Sequence, residues 1–494
     1  MSVTTRSQVR TRSGKAAPGD PIQNEAPTLL ERYDALEDRM ARGKAARDRA
    51  PRASHAEFKP GKDRPDPIAL LEEQAATRVR ELVPIRYGRM LVSPFTFYRG
   101  AALVMAQDLS TTPTSGFRAQ LCGDAHLSNF GAFASVERRL VFDINDFDET
   151  LPGPWEWDVK RLAASMAVAG RDNGFTKQDR RTVVLETVRA YREAMSEFAA
   201  MPNLDVWYAH MEVQGVVARY EALVDAKVLK RVRAAVDKAK TRDSLGAFTK
   251  LTTVQDGEVR FASNPPLLVP MHDLLPDNTI RQEFVGRIGK IIATYRRSLQ
   301  DDRRHLLEEF TFVDLARKVV GVGSVGTRAW VAMMLGRDGL DPLFLQIKEA
   351  QPSVLERFVG RSRFANNGQR VVSGQRLIQE SSDIFLGWVR VEGIDEQRRD
   401  FYVRQLRDWK TSAAIETQTP STMSVYGRLC GWTLARAHAR SGDRVAIGAY
   451  LGKSDVFDRA LATFTERYAD QTERDHEALA QAVSQGRIRA ETGV

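Results

Sequence analysis

The feature that most constrains the fold is a change of residue pattern along the chain. From Trp157 to about residue 310, apolar residues recur with the 3.6-residue period of amphipathic helices. From 311 to 415 the sequence changes to β-like runs separated by turn residues, including "DPLFLQIKEA", "RVVSGQRLIQE", "FLGWVRVEG" and "RDFYVRQLRDWK". Helical periodicity returns over 416–494. We therefore predict an α+β protein in which a β-rich lobe is inserted between two parts of a helical lobe.

A basic segment precedes the globular part. Residues 1–65 are rich in Arg, Ala, Pro and Asp and poor in apolar periodicity, which is typical of a disordered tail. Within it, 26–48 has the composition of a short charged helix. We expect the helical lobe over 66–310, the β-rich lobe over 311–415 and the returning helices over 416–494.

Composition excludes several classes of protein. The chain has 494 residues, 43% hydrophobic and 28% charged, as in soluble globular proteins. No apolar run is long enough to cross a bilayer as a helix, so we expect no membrane span. Two cysteines, Cys122 and Cys430, give no disulfide framework, which favours a cytoplasmic location. More than half of the net charge of +9 falls within residues 1–64, and no recognition motif appears, so we do not expect nucleic acid as a partner.

Two acidic stretches carry the chemistry. In "GDAHLSNFG", Asp124 and Asn129 have the spacing of the kinase catalytic loop, in which the Asp accepts the proton of a substrate hydroxyl and the Asn holds Mg²⁺. In "VFDINDFDE", Asp146 follows Asn129 at the separation expected for the metal Asp of a D-F-G segment, and Asp148 is a possible second ligand. We expect His126 to stabilise the loop by hydrogen bonding.

Each of these signals alone is typical of a polar turn, because Asp and Asn bond their own backbone. Their order, their spacing and the β-like "RRLVFDI" between them favour a catalytic site. Oxygen donors at both ends of a β-hairpin suit a hard, octahedral Mg²⁺ ion.

The two stretches also resemble known families. "GDAHLSN" and "INDFDET" are similar to the G-D-x-H-x-x-N loop and the metal segment of aminoglycoside and choline phosphotransferases, in the protein-kinase-like superfamily. "GPWEWDVKRLAAS" resembles their next motif, whose Asp braces the catalytic loop; Asp158 matches it and is predicted to be a helix N-cap. More closely, residues 65–490 resemble the bacterial domain of unknown function 2252 family. The resemblance implies a kinase-like fold but no known substrate.

A kinase also needs a nucleotide-binding lobe, and the β-rich segment is the candidate. "GVGSVGT" has the G-x-G-x-x-G pattern at Gly321, Gly323 and Gly326. Further along the chain, Lys348 ends an apolar strand. It resembles the kinase Lys that contacts the α- and β-phosphates of ATP. Glu356 is the predicted acidic partner of Lys348.

Two features of this assignment stay open. Glu349 and Glu380 are alternatives to Glu356, because Glu356 follows Lys348 more closely than is usual for the kinase Lys–Glu pair. The glycine pattern also fits a Rossmann site for NAD(P). A strand over 327–334 would favour the kinase interpretation, and a helix would favour the Rossmann one.

The catalytic loop here precedes the glycine stretch, the reverse of the kinase order, which implies a circular permutation. "WTLARAHARSGD", near the C-terminus, resembles the helix that comes just before the catalytic loop in kinases; a helix over 96–109 competes for that place. We expect an ATP- and Mg²⁺-dependent transfer of a phosphoryl group to a hydroxyl of an unknown small molecule or protein. A nucleotidyl transferase and a nucleotide-binding pseudokinase remain alternatives.

Overall fold

The computed structural model describes residues 35–493, apart from 221–225, 256, 320, 394 and 407–408, and shows a mixed α+β protein. Its helices are α1 Leu36–Arg49, α2 Pro67–Ala75, α3 Val83–Met90, α4 Pro94–Gly100, α5 Ala102–Leu109, α6 Trp155–Asp172, α7 Lys177–Ala200, α8 Asn203–Tyr208, α9 Val213–Tyr220, α10 Ala226–Lys240, α11 Ser244–Leu251, α12 Met271–Leu274, α13 Asn278–Arg296, α14 Asp301–Glu308, α15 Glu356–Val359, α16 Asn367–Ile378, α17 Pro420–Ala439, α18 Arg444–Leu451 and α19 Val456–Ser484.

The strands fall into one large sheet and three two-stranded ones. They are β1 Arg118–Leu121, β2 Phe130–Ala134, β3 Leu140–Ile144, β4 Leu151–Pro154, β5 Thr252–Gln255, β6 Glu258–Phe261, β7 Leu268–Pro270, β8 Thr311–Lys318, β9 Ala329–Leu335, β10 Pro342–Ala350, β11 Gly387–Glu392 and β12 Arg398–Gln405. The large sheet has the order β11-β12-β10-β9-β8-β7, with every pair antiparallel.

Helix α6 is the centre of the helical part. Every residue from Trp155 to Gly170 is buried, including four ionisable ones. Trp155 stacks on Tyr191 of α7 with ring centroids 5.6 Å apart. Because helices α7, α17 and α19 pack around it, polar side chains on α6 must find partners inside the protein. Two of these side chains, Asp158 and Arg161, bond to the loop that contains Asp124.

The large sheet separates two environments because its residues alternate between faces. On β10, Leu345 lies in the apolar cluster that includes Tyr295 of α13, whereas Lys348 lies on the opposite, polar face. The strand predicted over 342–350 is confirmed. Residues 329–335 are also a strand, the outcome that favours the kinase interpretation over the Rossmann one.

Two features of the predicted β-rich lobe differ in the structure, namely one of its strands and the point at which the sheet begins. "RVVSGQRLIQE" forms helix α16 instead of a strand: Asn366 caps it by accepting from the Gln369 N–H (3.0 Å), and the i, i+4 pair Gly374 and Ile378 lies on its buried side. The sheet also includes β7, and α13 packs on β11, although both come from the segment assigned to the helical lobe. The β-branched pair Val371–Val372 misled the strand prediction.

The short charged helix predicted within 26–48 is confirmed in part by α1 Leu36–Arg49. The disorder predicted for the rest of the tail is wrong for residues 50–65, which include a 3-10 helix at Arg52–Ala56, whereas residues 1–34 lie outside the described part. Helix α1 packs on α18, where Gly43 has no space for a side chain against Ala446 and Ala46 is buried. Arg39 forms an ion pair with Asp443 at 2.7 Å. Small residues, instead of large apolar ones, form this contact, so the hydrophobic pattern did not reveal it. Within the described residues, no helix has both the length and the apolarity needed to cross a membrane.

Candidate active site

The β2–β3 hairpin brings the two acidic stretches together. Phe130 pairs with Ile144, so Asn129 and Asn145 lie at the same end of the hairpin, and the Asn145 N–H donates to the Asn129 carbonyl at 2.8 Å. Asp146 follows directly. The segment between Asn129 and Asp146 is thus a hairpin that returns the chain to its starting point.

The loop before the hairpin requires a glycine. Gly123 has φ +85°, and a side chain there would collide with the backbone of Glu149. The close approach places the turn that carries Asp124 directly beside the end of the second acidic stretch.

Asp158 braces this turn from α6. Its carboxylate accepts the backbone N–H groups of Cys122 (2.8 Å) and Gly123 (3.1 Å). His438 of α17 lies 3.4 Å from the same carboxylate. Asp158 is not the helix N-cap that we predicted, because α6 begins at Trp155. The helix that reaches the brace is the predicted "WTLARAHARSGD" segment, whereas 96–109 is split into α4 and α5.

Asp124 is held by a cation that the sequence analysis missed. Arg161, which follows Asp158 by one turn of α6, donates to one Asp124 oxygen at 2.5 Å. Burial raises the pKa of Asp124, although Arg161 acts against this shift. The Asn129 side-chain amide donates to the Asp124 carbonyl at 2.6 Å, which commits its nitrogen and leaves its oxygen as the group able to bind a cation.

His126 is buried next to Asp124, and burial lowers its pKa well below the usual value. Its backbone N–H donates to the Asp124 carbonyl at 2.8 Å, but its Nε2 lies 3.8 Å from the Asp124 carboxylate. The predicted stabilisation of the loop by hydrogen bonding is made by the His126 backbone, whose carbonyl also accepts the Asn129 N–H at 2.8 Å.

Lys348 reaches the second acidic stretch from the sheet. Its ammonium donates to Asp148 at 2.9 Å and lies 3.8 Å from Asp146. Tyr402 donates its hydroxyl to the other Asp148 oxygen at 2.6 Å. Burial alone would raise the pKa of Asp148, but Lys348 and Tyr402 outweigh it and bring the pKa to about 2. Burial acts to lower the pKa of Lys348, but the two carboxylates raise it overall.

None of the three glutamates considered as the partner of Lys348 holds that position. Glu349 lines the same cavity but pairs with Arg328 at 3.2 Å. Glu356 lies in the short helix α15 and does not line the cavity. Glu380 lies beside Asp143, to which its backbone N–H donates at 2.6 Å. Asp148 is the ion-pair partner instead.

A single cavity of about 530 Å³ brings the two halves of the site together. Among the residues singled out from the sequence, those that line it are Asp124, His126, Asn129, Asp146, Asp148, Gly321, Gly323, Lys348 and Glu349. Gly326 does not line it; this residue has φ +87° and packs against Arg78. The expectation that the glycine stretch and Lys348 face Asp124 and Asp146 across one cleft is thereby confirmed.

The glycine stretch is a compact turn above the second acidic stretch. Residues Val322–Ser324 form one 3-10 turn, and the Ser324 hydroxyl donates to Asp148 at 3.2 Å. A side chain at Gly323 would approach the carbonyl of Arg99 to 3.4 Å, so the turn lies close to α4 as well. The turn therefore contacts both Asp148 and the end of α4.

The model of a family described as an uncharacterized protein conserved in bacteria, DUF2252, matches residues 78–482, well over half of the sequence. The chain belongs to the DUF2252 family. No curated protein and no solved structure gave a significant match. The matched region of this DUF2252 protein includes both acidic stretches and the whole large sheet.

The cavity of this DUF2252 protein contains further charged residues that sequence reasoning did not identify. They are Glu73, Arg78, Arg99, Glu149, Arg357, Arg404 and Lys410. Burial raises the pKa of Glu149 and lowers that of Lys410, each to about 7. Glu149 ends the motif "NDFDE", and its closeness to Asp146 in the sequence was the one feature that could have identified it as a site residue. The others have no spacing signal, because the fold assembles them from distant elements.

The donor set fits Mg²⁺ better than a metal that requires many protein ligands. Within the described ranges, no three His, Cys, Asp or Glu residues form a metal-ligand group. Mg²⁺ needs only one or two carboxylates, with phosphate oxygens and water completing its shell. Asp148 is committed to Lys348, so Asp146 and the amide oxygen of Asn129 are the donors that fit.

Proposed function

We propose that this DUF2252 protein is an ATP- and Mg²⁺-dependent phosphotransferase with a two-lobed, circularly permuted protein-kinase-like fold. One observation carries the proposal: Asp124, Asn129 and Asp146 share a cavity with Lys348 and the glycine stretch, which are about 200 residues away in the sequence. The order of these parts along the chain is reversed relative to kinases, but the spatial set is the one that phosphoryl transfer requires.

The proposed roles follow from the contacts. The acceptor hydroxyl lies at Asp124, whose free oxygen accepts the proton as the oxygen–phosphorus bond forms and ADP leaves with the bonding electrons. Arg161 holds the other Asp124 oxygen and fixes its orientation. Burial raises the pKa of Asp124, which increases its proton affinity and suits it to act as a general base.

Lys348 and the turn Val322–Ser324 would bind the phosphates of the nucleotide. The ammonium lies between Asp146 and Asp148 in the cavity, and Ser324 of the turn donates to Asp148. Asp146 and Asn129 would hold Mg²⁺, which neutralises charge on phosphate oxygens when bound. Asp146 suits this role because about a third of its side chain is exposed and can reach a metal ion in the cavity.

The C-terminal helices support the permutation. In the proposed arrangement α17 takes the place of the helix that precedes the catalytic loop in kinases, and His438 on α17 contacts the brace residue Asp158. Permutation is tolerated when the joined ends lie close in space.

The alternatives are less well supported. A pseudokinase usually lacks one of the catalytic residues, whereas Asp124, Asn129, Asp146 and Lys348 are all present around one cavity. A Rossmann oxidoreductase requires a helix where β9 is found. Nucleotidyl transfer uses the same nucleotide-binding parts and differs in which phosphorus is attacked.

The test is nucleotide binding by the purified protein. Calorimetric titration with ATP, ADP, GTP and NAD, each with and without Mg²⁺, should show binding of an adenine nucleotide that strengthens with Mg²⁺. Binding of NAD alone, or of no nucleotide, would refute the proposal. We place the activity in the cytoplasm, where the thiols of Cys122 and Cys430 stay reduced.

A further inference from the structure

The carboxylates of the cavity are largely neutralised by their own partners. Asp124 pairs with Arg161 and Asp148 pairs with Lys348, as described above. Glu349 pairs with Arg328 and Glu73 with Arg357. Among the described residues, only two further carboxyl groups line the cavity. They are Asp146, the proposed metal ligand, and Glu149, which accepts the Val354 N–H at 2.7 Å.

The cations of the same cavity outnumber these remaining carboxylates. Arg78, Arg99, Arg404 and Lys410 line it, and none of them forms an ion pair with any described residue. Arg404 donates to the Asn145 carbonyl (3.0 Å) and to the Gln346 side chain (3.2 Å). Arg78 donates to a backbone carbonyl. A buried cation without a carboxylate is costly, which indicates that an anionic ligand completes the site.

Arg99 is, together with Lys410, the least well partnered of the four among the described residues. Its side chain makes no hydrogen bond within the described part of the chain, and its Nε is buried without a partner. Burial lowers the pKa of Arg99, and the charges of Asp124 and Glu416 offset only part of this shift. The protein offers this guanidinium the ring of Phe95, whose centroid lies 6.0 Å away, but no hydrogen-bond acceptor among the described residues.

Contacts of neighbouring residues place Arg99 near the proposed base. Arg161, which donates to Asp124 at 2.5 Å, also donates to the carbonyl of Tyr98, the residue before Arg99, at 3.0 Å. Arg99 and Asp124 line the same cavity, and the charge of Asp124 acts on the Arg99 guanidinium. The Arg99 carbonyl also lies close to Gly323, so Arg99 is near both the proposed base and the glycine turn.

We propose that the phosphoryl acceptor is an anionic hydroxyl compound, bearing a carboxylate or a phosphate, whose negative group binds the Arg99 guanidinium while its hydroxyl lies at Asp124. This inference rests on the proposed function. A guanidinium presents planar, paired N–H donors that match the oxygens of either anion. Arg99 would then select the acceptor by charge and orient its hydroxyl toward Asp124.

The test measures an anion site while the nucleotide phosphates are already bound. The protein is saturated with Mg²⁺ and the non-hydrolysable ATP analogue AMP-PNP, which fills the γ-phosphate position. Inorganic phosphate and, separately, acetate are then titrated in by calorimetry in chloride buffer. The variants are Arg99→Gln, Arg99→Lys and, as a matched control, Arg337→Gln, which removes an exposed arginine that pairs with Asp338.

We expect at least one anion to bind the wild-type complex saturably, and the stronger of the two indicates the acceptor group. Arg99→Gln should weaken that binding at least tenfold, Arg99→Lys should weaken it less, and Arg337→Gln should leave it unchanged. The affinity for AMP-PNP and the thermal midpoint should stay the same in all variants, which shows that Arg99→Gln is folded.

Two results would overturn the inference. One is that neither anion binds the wild-type complex, or that Arg99→Gln binds as wild type does. The other is that Arg99→Gln weakens AMP-PNP to the same extent as the anion, which would make Arg99 a ligand of the nucleotide. Failure of AMP-PNP to bind at all refutes the proposed function instead. The anion titration on the protein alone then still tests the Arg99 site.

Discussion

Lys348 and Asp148 form an ion pair of 2.9 Å between residues 200 positions apart, joining the large sheet to the loop after β3. Lys348 is almost completely buried, whereas about 30% of the Asp148 side chain is exposed. The pair joins β10 to the loop that carries Asp146 and thus links fold stability to the geometry of the proposed nucleotide site.

Replacing Lys348 by Met should affect both stability and binding. Loss of the ammonium leaves Asp148 partly buried without its cation, and we expect a loss of about 1–3 kcal/mol in the free energy of unfolding. ATP affinity should fall at least tenfold. The double variant Lys348→Met/Asp148→Asn should recover part of the stability but not the affinity. Urea unfolding and calorimetry measure the two effects, and equal stability of the single and double variants would contradict this account.

Asp146→Asn should remove the Mg²⁺ dependence of nucleotide binding. The change deletes an anionic ligand but little volume, so the free energy of unfolding should stay within about 0.5 kcal/mol of wild type, as for an exposed substitution. ATP should bind with the same affinity with and without Mg²⁺. Asp338→Asn, at an exposed turn, is the control. If the variant kept the full Mg²⁺ effect, Asp146 would not be the ligand.

Asp124→Asn should reduce turnover and leave nucleotide binding nearly unchanged. The amide cannot accept the hydroxyl proton, and loss of a general base costs on the order of 10²–10⁴-fold in rate. In the proposed mechanism Asp124 contacts the acceptor and not the nucleotide, so ATP affinity should change less than threefold (~0.7 kcal/mol, at 1.4 kcal/mol per factor of ten). ATP consumption with anionic hydroxyl acceptors measures the rate. Retained turnover would remove Asp124 from the mechanism.

Glu380 should make stability depend on pH. Burial, and then the charge of Asp143, raises its pKa from 4.5 to about 7. The folded protein therefore binds this proton more tightly than the unfolded chain, and stability is lost as the pH rises from about 4.5 to 7. Glu380→Gln has no such proton, so we expect it to gain about 1–3 kcal/mol over wild type between pH 5 and pH 8. Urea unfolding at both pH values tests this. A stability difference that is independent of pH would contradict the assignment.

The sequence predicted the parts of the site that lie close together in the chain. Asp124, Asn129 and Asp146 follow from spacing, because a short hairpin can only return the chain to its start. Lys348 follows from the end of an apolar strand after a glycine stretch. Local patterns of this kind carry their geometry with them.

The residues that the sequence did not reveal depend on tertiary contacts. Arg161 meets Asp124 because α6 is buried throughout, and Tyr402 meets Asp148 because β12 pairs with β10. Glu356 was the wrong partner for Lys348. The ion pair is made with Asp148, which is 200 residues away, and the spacing between Glu356 and Lys348 could not show this. Arg99 lies on the short helix α4, and the pattern of apolar residues in this helix does not show that it contacts the cavity.

The central claim is that the two distant parts of the chain form one nucleotide site. A crystal structure with Mg²⁺ and AMP-PNP tests it most directly. We predict phosphates between Lys348 and the turn Val322–Ser324, with Mg²⁺ on Asp146 and Asn129 and the γ-phosphorus facing Asp124. A nucleotide bound elsewhere, or in this cavity without contact to both Lys348 and Asp146, would contradict the account.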